Sequence, residues 1–134
     1  MNGRRQTEYM VIYLSGRIRE NADYREQFYA AERRILEANS DRRVKHEVIN
    51  PARLIYPASV PDGRHKEESI MKICKGFLDM ADAIYMLPGW EDSRGARAEL
   101  AYFISQNADG GGEIYVEGGT GEKYDLLFGK GRRD

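Results

Sequence analysis

Apolar residues along the chain follow two alternating patterns, short continuous runs and runs spaced like one face of a helix. The run YMVIYLSG over residues 9–16 is rich in β-branched and aromatic residues and ends at a glycine, which is typical of a buried strand. Asn21 or Asp23 can cap the helix that follows. Apolar positions recur there at helical spacing: Tyr24, Phe28, Ala31, Ile35 and Ala38. The chain therefore begins with a predicted strand and an amphipathic helix.

The same alternation continues through the middle of the chain. Residues 44–51 alternate before a proline and predict a second strand, followed by a proline-bearing loop that reaches residue 65. A helix from about Glu67 to Met80 is predicted next. Its inward positions are Ile70, Ile73, Phe77 and Leu78.

The C-terminal part of the chain continues the alternation of strands and helices. Residues 82–88 predict a third strand, and a small-residue helix begins after Ser93. EIYVE at 113–117 is bracketed by glycines and predicts a fourth strand, whereas YDLLF in the tail fits either a strand or a helix.

This order of elements predicts an α/β domain. We expect a Rossmann-like, flavodoxin-like fold of three layers with a mainly parallel sheet of about five strands. The length of 134 residues suits one domain over residues 1–134. Ligands of such sheets bind beyond the carboxyl ends of the strands, where the turns after the first and third strands both fall.

Composition narrows the possible partners. A net charge of -1 lacks the positive field of general nucleic-acid binders, and the basic residues near the two termini fit solvated tails. One cysteine allows no internal disulfide, and no cluster has metal-ligand spacing. The N-terminal apolar stretch is too short for a signal peptide or a membrane span. We expect a cytoplasmic protein without a metal, a cofactor, a nucleic-acid partner or a membrane partner.

The segment LPGWEDSRGARAELAYF places one carboxylate in a small-residue helix. With a cap at Asp92 or Ser93, Glu99 projects back over Gly95, where little side chain blocks a ligand. The positive end of the helix dipole favours an ionised carboxylate there. The alternative is a surface glutamate paired with Arg97 or another surface cation.

IYLSGRIR after the first strand and ADAIYMLPGWEDSRGARAELAYF around the third resemble the nucleoside 2-deoxyribosyltransferase superfamily, including its 5'-nucleotide N-glycosidase branch and small phage and bacterial members. The similarity covers most of residues 9–117. Its most specific part is Ser-x-Gly-x-x-x-Glu at Ser93, Gly95 and Glu99. The resemblance implies a homo-oligomeric enzyme that acts on N-ribosyl bonds of 5'-nucleotides or nucleosides. Hydrolysis or base exchange would pass through a glutamyl-glycosyl intermediate.

The resemblance also implies roles for single residues. Glu99 matches the nucleophile that attacks the anomeric carbon. Tyr13 matches an aromatic hydroxyl beside the sugar, although a core tyrosine is the equal alternative. Ser93 stands where the nucleotide-hydrolysing branch has serine rather than aspartate, and a hydroxyl at a helix N-terminus suits a 5'-phosphate.

The loop after the first strand matches the phosphate side of that branch. Its candidate binding residues are Ser15, Gly16, Arg17, Ile18 and Arg19. Arg17 replaces a small polar residue, so it either adds a cation or crowds the site. A solvated basic loop is the alternative.

The turn after the third strand supplies Gly89 and Trp90 as further candidates. Trp90 is placed either to stack on a base or to cover the core, and Tyr56 in the proline-bearing loop is a second stacking candidate.

One position departs from the family. Its general acid is an aspartate eight positions before the aspartate of the third strand, and here that position is Cys74. A thiol of pKa ~8.5 is a poor acid for a leaving base. Asp92 or Glu91 fills the role instead, or the role is absent. If no residue supplies the acid, we expect a non-catalytic protein that binds a nucleotide or an ADP-ribose-type signal.

Overall fold

The computed structural model describes residues 8–38, 44–54, 61, 63–117 and 124–126. The strands are β1 (Glu8–Ser15), β2 (Val44–Ile49), β3 (Ala83–Met86), β4 (Glu113–Glu117) and β5 (Tyr124–Leu126). The α-helices are α1 (Tyr24–Ala38), α2 (Arg64–Met80) and α3 (Arg94–Gln106). Short 3₁₀ turns cover Pro51–Arg53 and Trp90–Asp92.

The strands form one sheet in the order β2-β1-β3-β4-β5. β1 pairs in parallel with both β2 and β3, β3 pairs in parallel with β4, and β5 is antiparallel to β4. The predicted α/β, Rossmann-like architecture is confirmed. Four strands of the sheet are parallel, and the tail segment left open between strand and helix adds a three-residue antiparallel strand at the edge.

Alternate residues of the central strands face two separate core layers. Ile12 and Leu14 of β1 pack in the cluster that contains Phe28 of α1. Tyr13 of β1 packs in the opposite cluster with Leu100 of α3. Since neighbouring side chains of a strand point to opposite faces, β1 is covered on both sides and occupies the centre of the domain.

The predicted helices have the expected buried faces except at Ala38 of α1, which is exposed, and at one position of α2. Ile73, predicted to point inward, is 45% exposed, whereas Cys74 is 4% exposed and belongs to the core. The buried stripe of α2 passes through Ile70, Cys74 and Leu78, which are spaced four residues apart along one face. None of the helices that the structure describes is long and apolar enough to cross a bilayer.

Gly16 lets the chain turn closely against the core as it leaves β1. A Cβ at this position would lie 3.0 Å from Cβ of Leu87 and 3.3 Å from the ring of Phe28. Both neighbours are buried core residues, so a methyl group at Gly16 would have to push them aside by a few tenths of an ångström.

Gly16→Ala should therefore lower the free energy of unfolding by about 1–3 kcal/mol through overpacking. Gly76→Ala in α2 is the matched control, since a Cβ there meets no atom within 4 Å and alanine favours helix. Urea denaturation measures both variants. Equal stability of Gly16→Ala and the wild type would contradict the close packing.

Candidate active site

A cleft of about 770 Å³ lies beyond the carboxyl end of β1. Its walls are the loop after β1, the N-terminal half of α2 and the N-terminus of α3. The chain runs from β1 outward to β2 on one side and crosses to β3 on the other, so the cleft lies at the switch point of the sheet. Its volume is in the range of small-molecule sites.

The carboxylate of Glu99 is held by two hydroxyl groups of β1. Tyr13 donates to Oε2 at 2.8 Å, and Ser15 donates to Oε1 at 2.6 Å. Both donors are fully buried, and Glu99 lines the cleft. The alternative of a surface pair with Arg97 is wrong, because the Arg97 guanidinium donates to the backbone carbonyl of Glu91 at 2.7 Å.

Opposing effects set the protonation of Glu99. Burial raises its pKa above the ordinary value, while hydrogen bonds from Ser15, Tyr13 and Cys74 act in the opposite direction. Burial is the larger effect. The helix dipole predicted to favour ionisation is thus opposed by desolvation, and the neutral donors are what stabilise the charged form.

The two weak acids beside Glu99 keep their protons. Burial, followed by the charge of Glu99, raises the pKa of Tyr13 well above its usual range. The same two causes raise the pKa of the Cys74 thiol to about 12. Cys74 borders both the core and the cleft, and it interacts with Glu99 and Tyr13. It therefore acts at neutral pH as a neutral partner of the carboxylate and not as a nucleophile.

The N-terminus of α3 lines an open part of the cleft. Ser93 caps the helix by accepting a hydrogen bond from the Ala96 amide at 3.1 Å, which leaves its own hydroxyl proton available. A Cβ on Gly95 would approach only the Ser93 hydroxyl, at 3.9 Å. Ser93, Gly95 and Asp92, three of the candidates from the sequence, all line the cleft.

The loop after β1 also borders the cleft, through Gly16, Arg17, Ile18 and Arg19. Arg17 donates to the Arg19 carbonyl at 3.2 Å and pairs with Glu20 at 3.4 Å. The predicted loop therefore reaches the site, and Arg17 holds the loop together as well as bordering the cavity.

Some predicted residues lie elsewhere. Gly89 and Trp90 are outside the cleft lining: Gly89 adopts a left-handed backbone at φ 89°, and Trp90 packs against the core. Glu91 is also outside the lining. Tyr56 lies outside the described residues.

The structure adds lining residues that the sequence analysis did not select. They are Leu14, Glu20, Phe28, Pro51, Gly63, Lys66, Glu67, Ile70, Met71, Arg94, Ala96 and Ala98. Those on α2 lie three to eight residues before Cys74, on the same helical face or beside it. Extending the helical period backward from Cys74 would have found Lys66, Glu67, Ile70 and Met71.

We searched the part of the chain that the structure describes for groups of side chains that could bind a metal ion. No three histidine, cysteine, aspartate or glutamate side chains are grouped there in a way that fits a metal ion.

One family model matches residues 10–108, which is most of the chain and includes β1, Cys74 and Glu99. The chain belongs to the DUF4406 family. The description of this family is a domain of unknown function. Searches of curated proteins and of solved structures returned no match. The family description thus names no chemistry for the cleft, and the residues of the cleft are the basis for a proposal.

Glu99→Gln provides a test of the buried carboxylate. Because burial raises the folded-state pKa, the folded protein keeps this proton at pH values where the unfolded chain has lost it. The contribution to wild-type stability is complete below the unfolded pKa of ~4.3 and is lost as the pH rises through the folded pKa. The stability of Glu99→Gln relative to the wild type should therefore rise over this interval and then level off.

Urea denaturation at a series of pH values from about 4 to 8 measures that difference. Glu37→Gln, which changes an exposed carboxylate on α1 outside the cleft, is the matched control. A difference that stays constant or falls with rising pH would contradict the raised pKa of Glu99.

Proposed function

We propose that the protein is an N-ribosyl-bond enzyme that acts on 5'-nucleotides or nucleosides by hydrolysis or base exchange. The observation that carries the proposal is the Glu99 carboxylate, which lines a small-molecule cleft and is oriented by Tyr13 and Ser15. A partly buried carboxylate held by neutral donors suits attack on a centre that develops positive charge. The resemblance to nucleoside 2-deoxyribosyltransferases supplies the substrate class.

In the proposed reaction, one oxygen of Glu99 forms a bond to C1' as the bond from C1' to the base nitrogen breaks. The bonding electrons leave with the base, which takes a proton. Water or a second base then attacks C1' and releases Glu99 as a carboxylate. Tyr13 and Ser15 hold the carboxylate in position, so little rotation is needed before attack.

Asp92 is the proposed acid for the leaving base. It lines the cleft together with Glu99, whereas Cys74 at the family's acid position has a pKa raised to about 12. A group so weakly acidic contributes little proton transfer at neutral pH. The acid would then act from the N-terminal side of α3 instead of from α2.

Glu99→Gln should lower base release by about 10³-fold or more while leaving ligand binding largely intact, because only the bond to C1' is lost. The assay incubates the protein with a panel of purine and pyrimidine nucleosides and their 5'-monophosphates and measures free base by chromatography. Glu37→Gln again serves as the control. Unchanged turnover in Glu99→Gln would remove the nucleophile from the proposal.

Cys74 favours a second candidate function. A cleft that binds the ligand but has a thiol in place of the family's acid fits a non-catalytic protein that sequesters a nucleotide or an ADP-ribose-type signal. Calorimetric binding without base release by the wild type would support this candidate against the enzyme.

Cys74→Asp distinguishes the two candidates. A carboxyl group placed beside Glu99 would share a proton with it, which raises one pKa of the pair and creates an acid suited to neutral pH. If the native site lacks a working acid, base release should rise by about 10²-fold with little change in affinity. Cys74→Ser is the matched control. Brisk wild-type turnover that Cys74→Asp does not increase would leave Asp92 as the acid.

A further inference from the structure

Two arginines that border the cleft are already paired with carboxylates of its rim. Arg19 in the loop after β1 forms an ion pair with Glu67 in the first turn of α2, and Arg17 pairs with Glu20 at 3.4 Å. Both arginines belong to the loop in which an anionic group of the ligand is expected. The guanidinium groups of that loop are thus already paired with carboxylates of the protein.

The Arg19–Glu67 pair joins two different walls of the cleft. Both residues line it, one from the loop after β1 and the other from α2. Their side chains are 69% and 43% exposed, so the pair lies at the open mouth and away from the buried hydroxyls that hold Glu99. A ligand that uses the same donors of the Arg19 guanidinium must displace the Glu67 carboxylate from them.

The charges that line the cleft balance one another. The cationic side chains are those of Arg17, Arg19, Lys66 and Arg94, and the carboxylates are those of Glu20, Glu67, Asp92 and Glu99. Equal numbers give no net attraction for a highly charged anion. Binding of an anionic group at Arg19 therefore depends on direct contacts with the guanidinium and on the release of Glu67 from it, and not on a net positive field.

We propose that Glu67 is a specificity-determining residue that competes with the anionic group of the ligand for Arg19. This inference rests on the proposed function, because it takes that group to be the 5'-phosphate of a nucleotide. When phosphate binds, Arg19 leaves Glu67 and makes a bidentate contact with the phosphate oxygens. A neutral nucleoside leaves the ion pair closed. Glu67 therefore weakens anion binding and admits only groups that outcompete a carboxylate.

The test is calorimetric titration of the full chain with ribose 5-phosphate and, in parallel, with ribose. Glu67→Gln removes the competing charge and should bind ribose 5-phosphate about two- to fivefold more tightly than the wild type, the range expected for an exposed ion pair. Its affinity for ribose should not change. In an Arg19→Gln background the same substitution should give no gain, because no guanidinium remains for which to compete.

Glu37→Gln, which removes the same charge from outside the cleft lining, should bind as the wild type does. An equal gain in the Arg19→Gln background would mean simple charge repulsion and would overturn the competition. Wild-type affinity in Glu67→Gln, or no binding of ribose 5-phosphate by any variant, would overturn it as well. Base release is scored separately: a gain in Glu67→Gln without base release supports the competition while the proposed function fails, and base release without that gain does the reverse.

Discussion

The hydrogen bonds from Tyr13 and Ser15 to Glu99 are the interaction on which the rest of the site depends. A carboxylate at the edge of an apolar core is costly unless donors replace the water that it loses. Here the donors come from the central strand, the carboxylate from α3 and a third partner, Cys74, from α2. The contacts that join both helices to the sheet therefore also orient the carboxylate.

The topology explains why the cleft forms at this place. In the order β2-β1-β3, the connection after β1 leads to β2 on one side, and the connection after β2 crosses back to β3 on the other side, which opens a crevice at the carboxyl end of β1. The parallel register sets Ser15 opposite Met86, so the loops after β1 and β3 begin at the same level. Gly16 then turns the first loop tightly against Leu87, and Ser93 starts α3 beside it.

The cleft is lined by equal numbers of cationic and anionic side chains, but its inner end and its mouth differ in how those charges are paired. The inner end of the cleft holds Glu99 among neutral hydroxyl and thiol donors, and the described residues give it no ion-pair partner. The mouth carries the ion pairs of Arg17 and Arg19. Neutral donors orient the carboxylate without neutralising it, whereas the rim pairs can exchange with a ligand in water. Under the proposed function, this arrangement separates the part of the cleft that would react from the part that would select a ligand.

The sequence by itself determined the features that depend on local patterns. The succession of short apolar runs and runs with helical spacing predicted the order of elements, and the turn before α3 identified Glu99, Ser93 and Gly95. Tertiary structure decided which distant groups meet: Tyr13, an equal choice between core and site, is buried and also bonds Glu99 across 86 residues of chain. It likewise placed Trp90 against the core and paired Arg19 with Glu67. Periodicity fixes the face on which a side chain lies, but the partner depends on strand register and on how the helices dock, and neither is encoded in a local window.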